Sequence, residues 1–447
     1  MSSKGVIIAG AGRGMLFARL LAAANPVTRA RSVDNGLEWT QLSAFAGMRP
    51  IDRRVSAMVD INTRSHASIR AELNACGLTD TAIYATLEQA LAEIPESDAD
   101  TVMIVTPNAT HADLTELALR HHRHVFLEKP VATSWGEVRR ITAAAAAVPD
   151  RLVLPGFVLR HSAFYRRVKQ ICASGSLGRL VMIQADERLI PEHSLSYRRG
   201  WRRKTAATGG AMNEKCSHDL DILCWLKQPG AAPTAVFSAG GQMLFPPREN
   251  VPQYCSECTD KSCPFRLSQE QLLNVCGSFK RDLGDPDRCV FHTDADVRTD
   301  QSATILFSDG SQAIFTMLMY SGHPGRNLLI HGTEGMLEGD YDSGRVTVHN
   351  YRTRGELHES IPLRRWHGGG DAVMLNDFFD SVDRGEAPAS TLADGATATR
   401  LALAADRSAE ECRLVALDEF PWPVDCTWNC HGEPISEQTI QQGESAV

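Results

Sequence analysis

Residues 6–14 read Val-Ile-Ile-Ala-Gly-Ala-Gly-Arg-Gly, an apolar run that ends in three closely spaced glycines. The β-branched run predicts a buried strand, and the glycines predict a tight turn into a helix. Such a turn lies where the pyrophosphate of a dinucleotide meets helix N-terminal amides. Met15 occupies the position expected for the third glycine, and Gly14 comes one residue early. A glycine turn without a ligand is therefore the alternative interpretation.

The first third of the chain alternates strand-like and helix-like segments. The strand-like runs are residues 6–9, 55–59, 101–105 and 124–127, and the helix-like runs are residues 16–24, 66–75, 112–121 and 137–147. This alternation predicts an α/β protein with an N-terminal Rossmann domain, a doubly wound parallel sheet, at residues 1–158. Longer strands joined by turns then predict an α+β domain with an antiparallel or mixed sheet at residues 159–425. A polar tail is expected at residues 426–447.

Composition favours a small-molecule partner. The chain has 447 residues, of which 43% are hydrophobic, and a formal net charge of −8. The charges are intermixed, which argues against a nucleic-acid footprint or a polybasic membrane patch. The sequence has neither a secretory signal pattern nor an apolar run of about 18 residues, so we expect a cytoplasmic protein.

Asp60 directly follows the second strand-like run. A carboxylate at this position typically accepts hydrogen bonds from the adenosine ribose and repels a 2'-phosphate, so NAD is favoured over NADP. Arg64 is a possible phosphate ligand and keeps NADP as the alternative. Asp60 lies farther from the glycines than the usual distance of roughly 20 residues, which indicates an insertion at residues 26–53.

Several later motifs are familiar in their order along the chain. They are Thr106-Pro107-Asn108 with His111, Glu128-Lys129-Pro130, Gly209-Gly210, residues 218–221 and residues 332–335. Together they resemble the glucose-fructose oxidoreductase, inositol dehydrogenase and rhizopine-catabolism (Gfo/Idh/MocA) family. His-Gly-Gly-Gly-Asp at residues 367–371 and a cysteine-containing insertion at about residues 245–298 resemble a subset of that family.

The resemblance implies a Rossmann domain and a C-terminal domain with an open, largely antiparallel sheet. It also implies an active site between them, a homodimer or homotetramer, and reversible oxidation of a secondary alcohol on a polyhydroxy substrate. The residues predicted to bind the cofactor are Gly10, Gly12, Arg13, Gly14, Asp60, Arg64, Thr106, Pro107, Asn108, His111, Glu128, Lys129 and Pro130.

Hydride transfer from a carbinol needs a base for the hydroxyl proton and a cation that favours alkoxide character. By resemblance, Lys129 supplies the cation, although a solvated lysine at a strand end is the alternative. His218 is predicted as the base. Asp221 either orients the substrate or imidazole or forms a structural salt bridge. Glu214 replaces a family aspartate or caps the helix, and Lys215 supplements or replaces Lys129.

Aromatic and guanidinium side chains suit polyol recognition. By resemblance, the substrate wall contains Arg160, Tyr165, Arg198 and Trp201. The arginines at 198, 199, 202 and 203 form a basic cluster, which either binds an anionic substrate group or belongs to a solvated loop.

Four cysteines suggest a structural zinc site away from the reaction. They are Cys255, Cys258, Cys263 and Cys289, with Cys276 as an alternative fourth ligand. Four thiolates in a tetrahedron bind zinc stably. An iron-sulfur cluster, free thiols or a disulfide are the alternatives.

Three functions fit these patterns. The first is an NAD-dependent dehydrogenase acting on a secondary alcohol of a sugar, cyclitol or glycoside. The second is glycoside cleavage through transient oxidation by bound NAD followed by elimination. The third is a nucleotide-binding sensor on the same fold, since fold alone does not fix function. The pair Lys129 and His218 argues against a sensor, which needs no proton-transfer groups.

Overall fold

The computed structural model of this chain describes residues 4–25, 28, 48–266, 284–363 and 367–422. Most of the insertion predicted at residues 26–53, Cys276 and the tail predicted at residues 426–447 lie outside these ranges. Over the described ranges, no helix has both the length and the apolar composition needed to cross a membrane.

The first part of the described chain contains a parallel sheet. Its strands are β1 (Lys4–Ala9), β2 (Arg53–Val59), β3 (Ala82–Tyr84), β4 (Ala99–Ile104), β5 (His124–Leu127) and β6 (Val153–Pro155). The helices between them are α1 (Ala11–Ala24), α2 (His66–Ala75), α3 (Leu87–Glu93), α4 (His111–Arg120) and α5 (Trp135–Ala146). The strand order β3-β2-β1-β4-β5-β6 is that of a doubly wound sheet, so the predicted Rossmann fold is confirmed.

Local sequence explains these elements. Every residue of β4, and every residue of β1 after Lys4, is buried, as expected for strands covered by helices on both faces. Capping boxes start two of the helices: Thr86 pairs with Gln89 at α3, and Ser134 pairs with Glu137 at α5. These signals determine where each crossover helix begins.

The second sheet occupies the later part of the described chain. Its strands are β7 (Leu180–Arg188), β8 (Pro233–Gly241), β9 (Asp300–Phe307), β10 (Gln312–Leu318), β11 (Asn327–Gly332), β12 (Gly335–Asp340), β13 (Arg345–Asn350), β14 (Glu356–Ser360) and β15 (Val415–Ala416). They pair in the order β14-β13-β12-β11-β7-β10-β9-β8-β15, and only β7 and β10 are parallel among these described strands. The predicted largely antiparallel sheet is confirmed.

Helices cover one face of this second sheet. The helices in this part of the described chain are α6 (Ala163–Ala173), α7 (Pro191–Arg199), α8 (Thr205–Thr208), α9 (Ala211–Lys227), α10 (Gly370–Arg384) and α11 (Leu392–Glu411). Helix α9 packs on α11, and α11 packs on β8. Ile183 and Phe315 point into that core, whereas Gln184 and Thr316 line an open groove of about 920 Å³ on the other face. The homodimer or homotetramer stays a prediction.

Helix α10 returns to the first sheet although it lies far along the chain. Met374, Leu375 and Phe378 are buried in one cluster with Phe17 and Phe126. The rings of Phe126 and Phe378 meet edge to face, with centroids 5.7 Å apart. A helix from the region predicted as the second domain therefore contributes to the core of the first.

Candidate active site

Gly10, which directly precedes α1, and Gly12 and Gly14, which lie at the start of α1, have three different steric roles. Gly10 has a φ of +100°, and a Cβ there would lie 2.6 Å from the carbonyl oxygen of Val105. A Cβ at Gly14 would lie 2.8 Å from Cγ2 of Ile8. A Cβ at Gly12 would have no neighbour within 4 Å among the described residues, other than the adjacent residues and the backbone of its own helix. The open space at Gly12 lets a phosphate approach the backbone. The turn fits a dinucleotide pyrophosphate despite the early Gly14.

Asp60 follows β2 at the same edge of the sheet. One carboxylate oxygen accepts a hydrogen bond from the backbone N–H of Ala11 at 3.1 Å, and the other accepts one from that of Asn62 at 2.9 Å. Arg64 is exposed in the short helical turn Thr63–Ser65. A carboxylate is therefore held beside the glycine turn, as expected for a group that binds ribose hydroxyls.

His111 connects two loops at this edge. Its buried ring nitrogens lie 2.8 Å from the carbonyl oxygen of Pro130 and 3.0 Å from that of Thr106. Burial lowers the pKa of His111, so the ring is neutral and donates to one of the two carbonyls. Asn108 is also buried, 3.5 Å from the carbonyl oxygen of Thr208. His111 thus positions the loops that surround the predicted cofactor site.

Arg13 in the glycine turn joins three parts of the chain. Its Nε lies 2.5 Å from Oε1 of Glu128, and its Nη2 lies 2.6 Å from Oδ1 of Asp371 in the first turn of α10. The other oxygen of Asp371 lies 3.1 Å from Nδ1 of His367. The predicted cofactor residues Arg13 and Glu128 therefore pair with each other. The segment from His367 to Asp371, to which sequence analysis assigned no role, meets the glycine turn.

Lys129 reaches across to the second part of the chain. Its Nζ donates a hydrogen bond to the carbonyl oxygen of Glu214 in α9, at 2.6 Å. Burial lowers the pKa of Lys129, and the nearby cations Lys215 and Arg202 lower it further against the opposing effect of Glu214. This environment differs from that of a solvated lysine at a strand end, the alternative considered from sequence.

His218 on α9 is buried next to this lysine. Its ring meets Phe157 edge to face, with centroids 6.1 Å apart, and its Nδ1 has no hydrogen-bond partner among the described residues. Burial lowers the pKa of His218 well below its ordinary value, and the charges of Lys129, His367 and Arg326 act in the same direction. The imidazole is therefore neutral and chemically able to accept a proton.

Glu214 and Lys215 have ion-pair partners. Arg202 donates from Nε to the Glu214 carboxylate at 2.9 Å, and the Tyr197 hydroxyl donates to the same carboxylate. No side chain caps the start of α9 among the described residues, so the capping interpretation of Glu214 finds no support. Nζ of Lys215 lies 3.1 Å from Oε1 of Glu187. Both side chains belong to a charged layer beneath His218.

Sequence analysis missed several members of that layer. Nε of Arg326 lies 2.5 Å from Oε2 of Glu187 and 2.7 Å from Oδ1 of Asp219. His193 on α7 is close to Lys215, and burial followed by that charge lowers the pKa of His193 well below its ordinary value. Arg326, Glu187 and His193 come from separate elements, and no local motif marks them. Asp219 lies in the motif at residues 218–221, but the motif does not indicate its pairing with Arg326.

Asp221 and two predicted substrate residues make interior contacts instead of lining the cleft. Arg160 forms two hydrogen bonds with the Asp221 carboxylate, at 2.8 and 2.6 Å, and also pairs with Asp394 at 3.0 Å. All three partners are largely buried, so Asp221 forms the structural salt bridge that was its alternative interpretation. Tyr165 is buried and stacks on Tyr341, with ring centroids 5.3 Å apart. Arg160 and Tyr165 are therefore held by interior partners, and their contact with substrate stays a prediction.

Arg198 is fully buried, which corrects its prediction as a substrate or solvated-loop residue. Its guanidinium donates to three neutral acceptors at 2.9 to 3.2 Å, namely the carbonyls of Val290 and Phe245 and the side chain of Gln242. Arg198 therefore anchors the cysteine-containing insertion. Trp201 is only half-buried and lies under the Arg202 guanidinium, 4.6 Å from the ring centroid to Cζ.

The cysteine-containing insertion gives no support to the zinc prediction. In the described part of the chain, no three side chains of His, Cys, Asp or Glu are arranged to hold a metal ion. Cys255, Cys258, Cys263 and Cys289 are free thiols. Nη2 of Arg199, a cation, lies 3.9 Å from Sγ of Cys255, which is unfavourable for a neighbouring metal ion. Cys276, the alternative ligand, lies outside the described residues.

Two protein-family models match this chain. Residues 6–156 match the model described as an oxidoreductase family with an NAD-binding Rossmann fold. Residues 165–338 match the model of the GFO/IDH/MocA C-terminal domain. The first match covers nearly all of the first sheet, the second covers the second sheet from β7 into β12, and the two run in the order expected from the sequence.

Individual relatives are similar over part or all of the chain. The Bacillus subtilis oxidoreductase YteT is 24% identical over 318 residues, 64% of this chain and 73% of that protein. Inositol 2-dehydrogenase of Ralstonia nicotianae is 33% identical over 175 residues, which are 39% of this chain and only 46% of that enzyme. The solved structure of levoglucosan dehydrogenase with NADH and levoglucosan has a TM-score of 0.69 at 16% identity and covers 93% of this chain and 99% of its own. At that identity the structural likeness indicates the fold alone.

Proposed function

This chain belongs to the Gfo/Idh/MocA oxidoreductase family, an NAD-binding family, and on that premise we propose that it transfers a hydride between NAD and a secondary alcohol of a sugar, cyclitol or glycoside. The observation that carries the proposal is the pair of a neutral buried imidazole, His218, and a lysine, Lys129, beside a dinucleotide-binding turn. Relatives named inositol 2-dehydrogenase and levoglucosan dehydrogenase support a polyhydroxy substrate.

The residues at the edge of the first sheet fit NAD. The open space over Gly12 and the amides that start α1 suit the pyrophosphate, and Asp60 suits the adenosine ribose. When bound, NAD supplies the hydride acceptor. The negative charge of Asp60 disfavours a 2'-phosphate, so we propose NAD rather than NADP. Arg64, a possible phosphate ligand, is the sequence feature that favours NADP.

His218 and Lys129 have complementary tasks in this proposal. Oxidation removes the hydroxyl proton of the substrate, and a neutral His218 accepts it. The positive charge of Lys129 stabilises negative charge that develops on the same oxygen. Lys215 is neutralised by Glu187 and is therefore a weaker candidate for that task.

The two alternative functions differ in an observable way. A dehydrogenase accumulates NADH in proportion to product, whereas cleavage by transient oxidation returns the cofactor to NAD at each turnover. A sensor binds NAD and a ligand without turnover. Absorbance of reduced nicotinamide, combined with analysis of the sugar products, separates these three cases.

The test is a panel of polyols, glycosides and uronates with NAD. We expect NADH formation with at least one of them, and a loss of about a hundredfold or more in kcat for His218→Ala, as for removal of a proton-transfer group. His358→Ala serves as the matched control because this exposed histidine lies on β14 of the second sheet. Absence of NADH formation from the entire panel would contradict the proposal.

A further inference from the structure

The buried His218 cannot keep the proton it accepts. Its surroundings contain the cations Lys129, Arg326 and Lys215, and its side chain is only 5% exposed. An imidazolium there is destabilised both by loss of solvation and by charge repulsion. Turnover therefore needs a second group that takes the proton from His218 and reaches solvent.

His367 occupies a suitable position between His218 and solvent. The centroids of the two imidazole rings are 6.1 Å apart, a separation that one water molecule can bridge. The His367 side chain is 33% exposed, in contrast to that of His218. His367 has a φ of 45°, a conformation that side chains rarely adopt, and it is followed by Gly368 with a φ of 62°. The chain thus maintains a costly backbone conformation at this histidine.

Asp371 determines which nitrogen of His367 is available. Burial by itself would raise the pKa of Asp371, but the charge of Arg13 and the hydrogen bonds from Arg13 and His367 hold it at about 2. A carboxylate accepts hydrogen bonds and does not donate them, so Nδ1 of His367, 3.1 Å away, carries the hydrogen. Nε2 of a neutral His367 is consequently free to accept a proton.

The other titratable groups around His367 do not compete for this proton. Tyr341 faces the adjacent Gly368, and burial raises the pKa of Tyr341 above its ordinary value. His161, in the short helical turn Val158–His161 that packs against residues 367–369, has a pKa lowered to about 3 by burial and by Arg160. Arg13 stays charged because it pairs with Asp371.

We propose that His367 is the proton exit of this site, an inference that rests on the proposed dehydrogenase function. The substrate carbinol loses a hydride to NAD and its hydroxyl proton to His218. The proton then passes through one bridging water to Nε2 of His367 and from there to bulk solvent. In the reverse direction the same path delivers the proton to the alkoxide. Asp371 is a positioning residue that fixes the tautomer of His367, with the hydrogen on Nδ1 and Nε2 as the receiving nitrogen.

The test is chemical rescue with imidazole. His367→Ala removes the relay and leaves a space, so we expect kcat to fall by about a hundredfold, at the lower end for a proton-transferring group. Added imidazole should restore kcat in a concentration-dependent way in this variant and leave the unaltered protein unchanged. His367→Gln, which fills the space without titrating, should be as slow as His367→Ala. Both variants should still bind NADH, which also reports on folding.

Several results would overturn the relay. One is a His367→Gln variant as active as the unaltered protein, since the ring's proton would then be unnecessary. Another is a slow His367→Ala variant that imidazole does not accelerate. If His367→Ala fails to bind NADH, the rate of His367→Gln decides the question. An inactive unaltered protein overturns the proposed function together with the relay. An active unaltered protein whose slow His367→Ala variant does not respond to imidazole overturns the relay alone.

Discussion

Asp371→Asn should destabilise the first sheet and its helices, and the size of the effect follows from the pKa shift of Asp371. The charge of Arg13 and the hydrogen bonds from Arg13 and His367 outweigh burial and lower the pKa of Asp371 from 3.8 to about 2. At about 1.4 kcal/mol per pKa unit, the ionised carboxylate contributes about 2 kcal/mol to folding. Because the folded-state pKa is depressed, this contribution is present above the unfolded-state pKa near 3.8 and is lost as the pH falls towards 2. Asparagine preserves the shape and removes the charge.

The assay is thermal unfolding of the cofactor-free protein at neutral pH. A loss of about 2 kcal/mol corresponds to a fall in Tm of about 4–8 °C for a unit of this size. Asp380→Asn on the same helix is the matched control, because its partners Arg49 and Arg384 are exposed and such pairs contribute about 0–1 kcal/mol. The effects of Asp371→Asn and Arg13→Met should be less than additive in the double variant. Full additivity, or a fall no larger than that of the control, would refute the reasoning.

Three further predictions concern catalysis and the cofactor. Lys129→Met should lower kcat by about a hundredfold, while calorimetry should show that the variant still binds NADH. An unchanged kcat would indicate that Lys215, and not Lys129, stabilises the developing negative charge. Calorimetric titration should give tighter binding of NAD(H) than of NADP(H), and Asp60→Ala should reduce that preference; an initial NADP(H) preference would point to Arg64. His218 must be neutral to accept a proton, and burial lowers its pKa well below 6.5. The acid limb of kcat/KM for alcohol oxidation should therefore lie below that pH, and a limb at or above it would reassign the base.

The parts that the sequence predicted well are those that local signals determine. The β-branched run before Gly10 and the alternation of strands and helices fix a parallel sheet, because each unit must bury its own apolar face. Lys129 and His218 were singled out through motifs whose order resembles a family, and their roles stay predictions. For these residues the structure adds their environment, a hydrogen bond to the Glu214 carbonyl and a buried ring, which no motif specifies.

The parts that failed depend on contacts between distant segments. Asp371 lies 358 residues from Arg13, and the sequence around neither residue indicates that the two form an ion pair. Arg198 stands in a basic cluster that suggested a solvated loop or a substrate wall. It is buried because two carbonyls of the cysteine-containing insertion and the side-chain amide of Gln242 satisfy its donors, at separations of 44 to 92 residues. Periodicity and composition describe a segment alone and cannot report such partners.

The ion pairs around Arg13 relate the cofactor turn to both proton-handling groups. Glu128 binds the Arg13 guanidinium with one oxygen, and its other oxygen accepts a hydrogen bond from the backbone N–H of Lys129 at 3.1 Å. Asp371 binds the same guanidinium and orients His367. The backbone of Lys129 and the ring of His367 are therefore positioned through one side chain of the glycine turn. A pyrophosphate near that turn attracts the same guanidinium, because opposite charges at close range interact strongly in a partly buried site. We therefore expect NAD binding to act on the geometry of proton transfer through Arg13.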